Sequence, residues 1–120
     1  MERDERPWGG YEVLHVGSDF KVKRIWVMPG KQLSLQRHKH RSEHWFVVSG
    51  AGGVIMGETV ESLEYHSAEP GISFDIDTGM IHRATCSCDA TEPMVFIEVQ
   101  RGTYLEEDDI ERLEDDFGRA

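Results

Sequence analysis

Two stretches hold most of the side chains able to do chemistry. The first runs from Gly30 to Gly50 and carries Gln36, His38, His40, Glu43 and His44. The second runs from Gly71 to Arg83 and adds His82 just after a glycine-containing turn. Residues two apart in extended chain share a face, so Gln36 and His38 point the same way. The four residues Lys39-His40-Arg41-Ser42 let the chain turn back, after which Glu43, Trp45 and Val47 share a face of the next strand. If that face is interior, Glu43 lies opposite Gln36 and His38. Imidazole, carboxylate and amide groups gathered in one place can bind a divalent cation or pass protons.

The elements that must position these groups read as strands. Tyr11 to Val16, Phe20 to Met28, Leu33 to His38 and Glu43 to Ser49 come first. Val54 to Met56 follows, running on through Gly57-Glu58 to Thr59 and Val60, and then Ile72 to Ile76, Ile81 to Thr85 and Met94 to Val99. Short strands separated by turn signals such as Pro29-Gly30 and Gly50-Ala51-Gly52-Gly53 argue for an all-β sandwich or barrel. One helix is expected near the C-terminus, where Ile110, Leu113 and Phe117 recur at helical spacing behind a run of acids that suits a helix N-terminus. With no repeat and no low-complexity linker, residues 1–120 read as one domain.

Composition narrows the partners. The chain has 120 residues, 38% hydrophobic and 30% charged, with a formal net charge of −10. It is too apolar for a disordered acidic tail, and no apolar run approaches the roughly 20 residues of a membrane span. The first residues lack the apolar stretch of a secretory signal, and the acidic balance argues against nucleic acid. Cys86 and Cys88, one residue apart, are poorly placed to bridge each other and read as reduced thiols of a cytoplasmic protein. The charge is uneven. Between Asp19 and Glu43 lie seven Lys and Arg and no acid, whereas residues 105–120 hold eight acids against Arg112 and Arg119. A basic patch within an acidic molecule suits a small anionic ligand.

The spacing Gly30-x5-Gln36-x-His38-x4-Glu43-x6-Gly50 resembles the first cupin motif, with Gln36 where a histidine is usual. Gly71-x5-Asp77-x-Gly79-x2-His82-x3-Cys86 resembles the second, with Asp77 in place of proline and Cys86 in place of asparagine. A closer similarity runs along most of the chain. It covers Arg6-Pro7-Trp8-Gly9, Leu33-Ser34-Leu35-Gln36, His40-Arg41-Ser42-Glu43-His44-Trp45, Glu98-Val99-Gln100, Glu107-Asp108-Asp109-Ile110 and Asp116-Phe117-Gly118-Arg119. These segments are similar to type II phosphomannose isomerase, the cupin often fused behind a mannose-1-phosphate guanylyltransferase domain, which these 120 residues do not contain. Thr59 to Pro70 and Thr85 to Pro93 depart from that family.

The resemblance implies a cupin double-stranded β-helix, a jelly-roll barrel, with a short C-terminal helix. It implies one divalent metal on Gln36, His38, Glu43 and His82. Such a mixed nitrogen and oxygen set suits Zn, Mn, Fe, Ni or Co and does not choose among them. It also implies isomerisation of a sugar phosphate, mannose 6-phosphate to fructose 6-phosphate, by proton transfer between C2 and C1. Glu98 is the candidate base, since Phe96, Glu98 and Gln100 alternate against Val95, Ile97 and Val99. Arg83, next to His82, is the candidate for the phosphate and for a catalytic part, with Lys23 and Arg24 as further binding candidates. Adjacent strand residues point oppositely, so only one of Lys23 and Arg24 can face inward. His40 is an alternative to Gln36 in the metal shell. A homodimer is expected, with Trp8 to Tyr11 as the segment that crosses. The alternatives are a cupin with oxygenase-like metal chemistry and one that binds a small ligand without turnover.

Overall fold

The computed structural model describes residues 2–120. Eleven strands form two antiparallel sheets. The first sheet contains β1 (Arg3–Arg6), β2 (Gly9–Val16), β3 (Phe20–Val27), β10 (Met94–Gly102), β5 (Arg41–Ser49) and β8 (Ser73–Ile76), in that order. The second runs β11 (Glu111–Glu114), β4 (Leu35–Arg37), β9 (Ile81–Cys86), β6 (Gly52–Gly57) and β7 (Glu64–Ala68). The expected jelly roll is therefore present, with its core between the sheets.

Alternation sets what faces that core. On β5, Arg41, Glu43, Trp45 and Val47 are buried while His44, Phe46 and Val48 are exposed; on β10, Met94, Phe96, Glu98 and Gln100 are buried. Towards one end the inward residues are apolar, and Trp45 lies 4.4 Å from Phe96 between ring centroids. Towards the other they are polar. The strand period thus divides the interior into a packed half and a chemical half. Gly50 closes β5 at φ +87, where a Cβ would lie 2.5 Å from the Pro93 carbonyl oxygen, so this turn needs glycine.

The expected C-terminal helix is not formed. Glu111–Glu114 is a strand that pairs with β4, Glu111 opposite Arg37 and Arg112 opposite Gln36. Without it β4 would expose a row of unpaired backbone groups at the sheet edge. That tertiary demand, together with the Arg37–Glu111 ion pair at 2.7 Å, outweighs a local preference of a few tenths of a kcal/mol per residue. Phe117 still packs on the core, beyond the strand.

Other boundaries differ as well. Leu33–His38 contracts to Leu35–Arg37, and Val60 falls in a single 3-10 turn, Val60–Ser62. Strand β7 carries Glu64, Tyr65 and Ser67 exposed, so it lacks the apolar alternation that announces a strand. The Trp8–Tyr11 segment is engaged within its own chain: Trp8 is buried and Gly9 to Tyr11 pair with β3. Among the described residues no helix is long and apolar enough to cross a membrane.

Candidate metal and substrate site

The polar half of the interior brings together residues from three strands and from the end of a fourth. His38 follows β4, Glu43 lies on β5, His82 on β9 and Glu98 on β10. One imidazole nitrogen from each histidine and one Glu43 oxygen all fall within 4.8 Å of one another. His38 Nε2 is 3.2 Å from Glu43 Oε2, and His82 Nε2 is 3.8 Å from Glu43 Oε1. All three residues are buried, His82 completely.

Hydrogen bonds fix which nitrogens point inward. His38 Nδ1 lies 2.6 Å from the Asp109 carbonyl oxygen and His82 Nδ1 lies 2.9 Å from the Met80 carbonyl oxygen. A carbonyl only accepts, so each ring carries its proton on Nδ1 and turns the Nε2 lone pair towards Glu43. Burial, reinforced by Arg41, lowers the pKa of His38; burial, reinforced by His38, lowers that of His82 to about 3. Both imidazoles are neutral, as ligation requires. His82 Nε2 is buried without a hydrogen-bond partner among the described residues. An orphaned lone pair beside a second one and a carboxylate is the donor set a divalent cation satisfies.

Glu43 is held hard. It accepts from Arg41 Nε and from Trp45 Nε1, both at 2.8 Å. Arg41 shares the inward parity of Glu43 and Trp45, and its Nη2 approaches His38 Nε2 at 3.3 Å. The sequence reading passed over Arg41, although the same parity argument that selected Glu43 selects it.

Glu98 is buried in the same cavity wall and accepts from Gln100 Nε2 at 2.6 Å. Burial, then the nearby Glu43 charge, pushes its carboxyl up to about 7. Gln36 faces the cavity opposite His82 across the β4–β9 pair, its Oε1 accepting from Ser34 Oγ at 3.0 Å. Lys23 is buried in the wall, 2.5 Å from a Glu107 oxygen. In that pair burial opposes ionisation of Glu107, but the Lys23 charge outweighs it and holds the carboxyl below its usual range.

Two expected residues are elsewhere. Arg83 follows inward-facing His82, so it points to the opposite side of β9, where Nε donates to the Leu33 carbonyl at 3.0 Å and Nη1 to Glu114 at 2.7 Å. Arg24 likewise faces out beside Lys23, over the Trp26 ring and 3.7 Å from Glu12. His40 is exposed in the turn against Tyr104, and His44 pairs with Asp75 on the outer face. The cationic wall is supplied instead by Arg6, Arg41, Arg112 and Arg119. Arg112 was hidden by the helix assignment, and Arg6 lies in a strand too short and polar to announce itself.

The buried imidazoles make stability depend on pH. In the unfolded chain they take up protons near pH 6.5; in the folded protein His38 does so at a lower pH and His82 at about 3. Their contribution is full above about 6.5 and is lost as pH falls through that value towards 3, because the unfolded state then binds more protons. Glu98 acts oppositely: its contribution is full below about 4.5 and is lost as pH rises towards 7. We expect urea titrations of the metal-free protein to show stability falling below pH 6.5. The slope should shrink by about one proton in His82→Gln. An unchanged slope would show that His82 titrates normally.

Comparisons with known proteins show the family. Residues 2–115 match the family described as mannose-6-phosphate isomerase C-terminal. Xanthan biosynthesis protein XanB of Xanthomonas campestris pv. campestris is 48% identical over 115 residues, covering 96% of this chain and 23% of that protein. Alginate biosynthesis protein AlgA of Pseudomonas aeruginosa is 46% identical over 115 residues, covering 96% and 22%. Mannose-1-phosphate guanylyltransferase ManC of Salmonella typhimurium is 42% identical over 115 residues, with the same 96% and 22%. The chain thus spans less than a quarter of the curated relatives it matches. Among solved structures, KdgF from Halomonas sp. gives a TM-score of 0.73 at 17% identity, covering 90% of this chain and 92% of that one. Capsular polysaccharide assembling protein CapF from Staphylococcus aureus gives 0.79 at 19% identity, covering 95% and 32%. At those identities the likeness is one of fold. The chain belongs to the mannose-6-phosphate isomerase C-terminal family.

Proposed function

We propose that this domain interconverts an aldose phosphate and a ketose phosphate, with mannose 6-phosphate and fructose 6-phosphate as the pair. One observation carries the reading: two neutral, buried imidazole nitrogens and a carboxylate converge beside a second buried carboxylate whose pKa is raised to about 7. His38, Glu43 and His82 would hold a divalent cation, with Gln36 as fourth donor. Such an ion supplies Lewis-acid polarisation of a substrate carbonyl. Glu98 would take the proton from C2 of the aldose and return it to C1 while the O2 hydroxyl proton passes to O1, giving the ketose with no net gain or loss of atoms. A carboxyl poised near neutrality can both accept and release a proton, which suits that shuttle. Lys23 would hold the Glu98 side of the cavity electropositive.

The phosphate end falls to Arg112 with Arg6 and Arg119, in place of Arg83 and Arg24. Arg112 Nε is buried with no partner among the described residues. Burial, then the Arg119 charge, lowers its pKa, and Arg6 adds to the like-charge crowding. Arg119 is already held by both Asp115 oxygens and Arg6 meets Asp4 at 2.8 Å, so the free buried N–H of Arg112 leads this group, and planar guanidinium donors match phosphate oxygens.

The test is incubation of mannose 6-phosphate with the protein and each of Zn, Mn, Fe, Ni and Co in turn, scoring fructose 6-phosphate. Conversion with at least one metal is expected. No conversion with any, alongside oxygen consumption with iron, would replace this reading by the oxygenase-like one. In the same assay Arg112→Ala should raise KM for mannose 6-phosphate roughly 10- to 100-fold, the loss of one charge-assisted contact, with metal content unchanged. An unchanged KM would move the phosphate elsewhere.

A further inference from the structure

The segment after β10 crosses the open end of the cavity before it becomes β11. Lys21 Nζ donates to the Leu105 carbonyl at 3.0 Å, Lys23 pairs with Glu107, and Asp109 meets the β4–β5 turn. We propose that Asp109 is a positioning residue that sets the ring of His38. Three contacts converge on it. Its carbonyl oxygen accepts from His38 Nδ1 at 2.6 Å, and its carboxylate oxygens accept the backbone N–H groups of Lys39 at 2.9 Å and His40 at 3.0 Å. One residue therefore grips the ring and the two residues that follow it.

The two grips depend on each other. The carboxylate anchors Asp109 to the turn, and that anchoring puts the carbonyl within bonding distance of the ring. The carbonyl then selects the tautomer with the proton on Nδ1 and leaves Nε2, 3.2 Å from Glu43, as the lone-pair donor. Asp109 is only 6% exposed, so water cannot readily replace these bonds. The two carboxylate oxygens each accept one amide hydrogen, so the anchor holds the turn at two points. Outer partners of this kind fix the orientation and tautomer of ligating histidines.

The metal half of the test rests on the reading of His38 as a ligand; the tautomer half does not. In metal-free protein, 15N NMR of the imidazoles should show His38 as the Nδ1–H tautomer. In Asp109→Ala it should show a mixture with Nε2–H. Cobalt titration followed by visible absorption should show a Kd for Co2+ about 10- to 100-fold weaker in Asp109→Ala. Asp109→Asn keeps one acceptor oxygen and should fall between the two, and it carries both measurements if the alanine variant does not fold. A residue that only supported the fold would lower Tm and leave tautomer and Kd alone. Retention of the Nδ1–H tautomer in Asp109→Ala with Co2+ bound as in wild type would overturn the proposal and spare the metal site. A shifted tautomer in a protein that binds no Co2+ at all would uphold Asp109 and sink the metal reading.

Discussion

Glu43→Ala is expected to cost about 3–5 kcal/mol of stability and to abolish cation binding together. The carboxylate accepts from Arg41 and Trp45 and faces the Nε2 atoms of the two imidazoles. Removing it leaves a buried guanidinium, 7% exposed, with its main counter-charge gone. Since domains of this size are held by about 5–15 kcal/mol, a large part of that margin disappears. Glu43→Gln separates the two losses. It keeps the volume and an oxygen for Trp45, so the variant should fold with a smaller penalty while losing most of its metal. Urea denaturation gives the first quantity, and elemental analysis after dialysis against Zn2+ or Co2+ the second. Full occupancy in Glu43→Gln would remove Glu43 from the metal shell.

The second large effect is kinetic. Glu98→Gln should lower kcat about 10²- to 10⁴-fold, the range for loss of a positioned proton-transfer group, with metal content and KM little changed. Stability should hold or rise. In the wild type a carboxyl is buried near Glu43, and that burial is why its proton is retained up to about 7. A neutral amide of the same shape escapes the like-charge repulsion and still meets Gln100. A variant both more stable and nearly inactive is the signature of a group kept for chemistry against the interest of folding. A kcat within a few-fold of wild type would exclude Glu98 as the base.

What the sequence allowed to be read follows from how each feature is encoded. The barrel was legible because strand periodicity and turn glycines are local signals. Two-residue parity set Glu43 against His38 once the strands were assigned, while His82 joined them through the resemblance to the cupin motifs. Parity also exposes what was misplaced. Arg83 was drawn towards the cavity by its neighbour His82, yet adjacency in a strand means opposition, and its partners Leu33 and Glu114 lie on the far side. The helix assignment at residues 110–117 failed for a non-local reason: β4, a three-residue strand, needed an edge partner from across the fold. That one misassignment also concealed Arg112 and the hold of Asp109 on His38, since a helix there would have turned those residues elsewhere.

The pinning of the β4–β5 turn by the segment after β10 bears on how the protein comes into being. Ribosomes deliver residues 36 to 82, with all four proposed donors, well before residue 109 emerges. During that interval the His38 ring has no carbonyl to select its tautomer, and the edge of β4 is bare. A nascent chain can thus close most of its barrel while the corner around His38 stays unfinished, and capture of the proposed cation would come late in the maturation of the polypeptide.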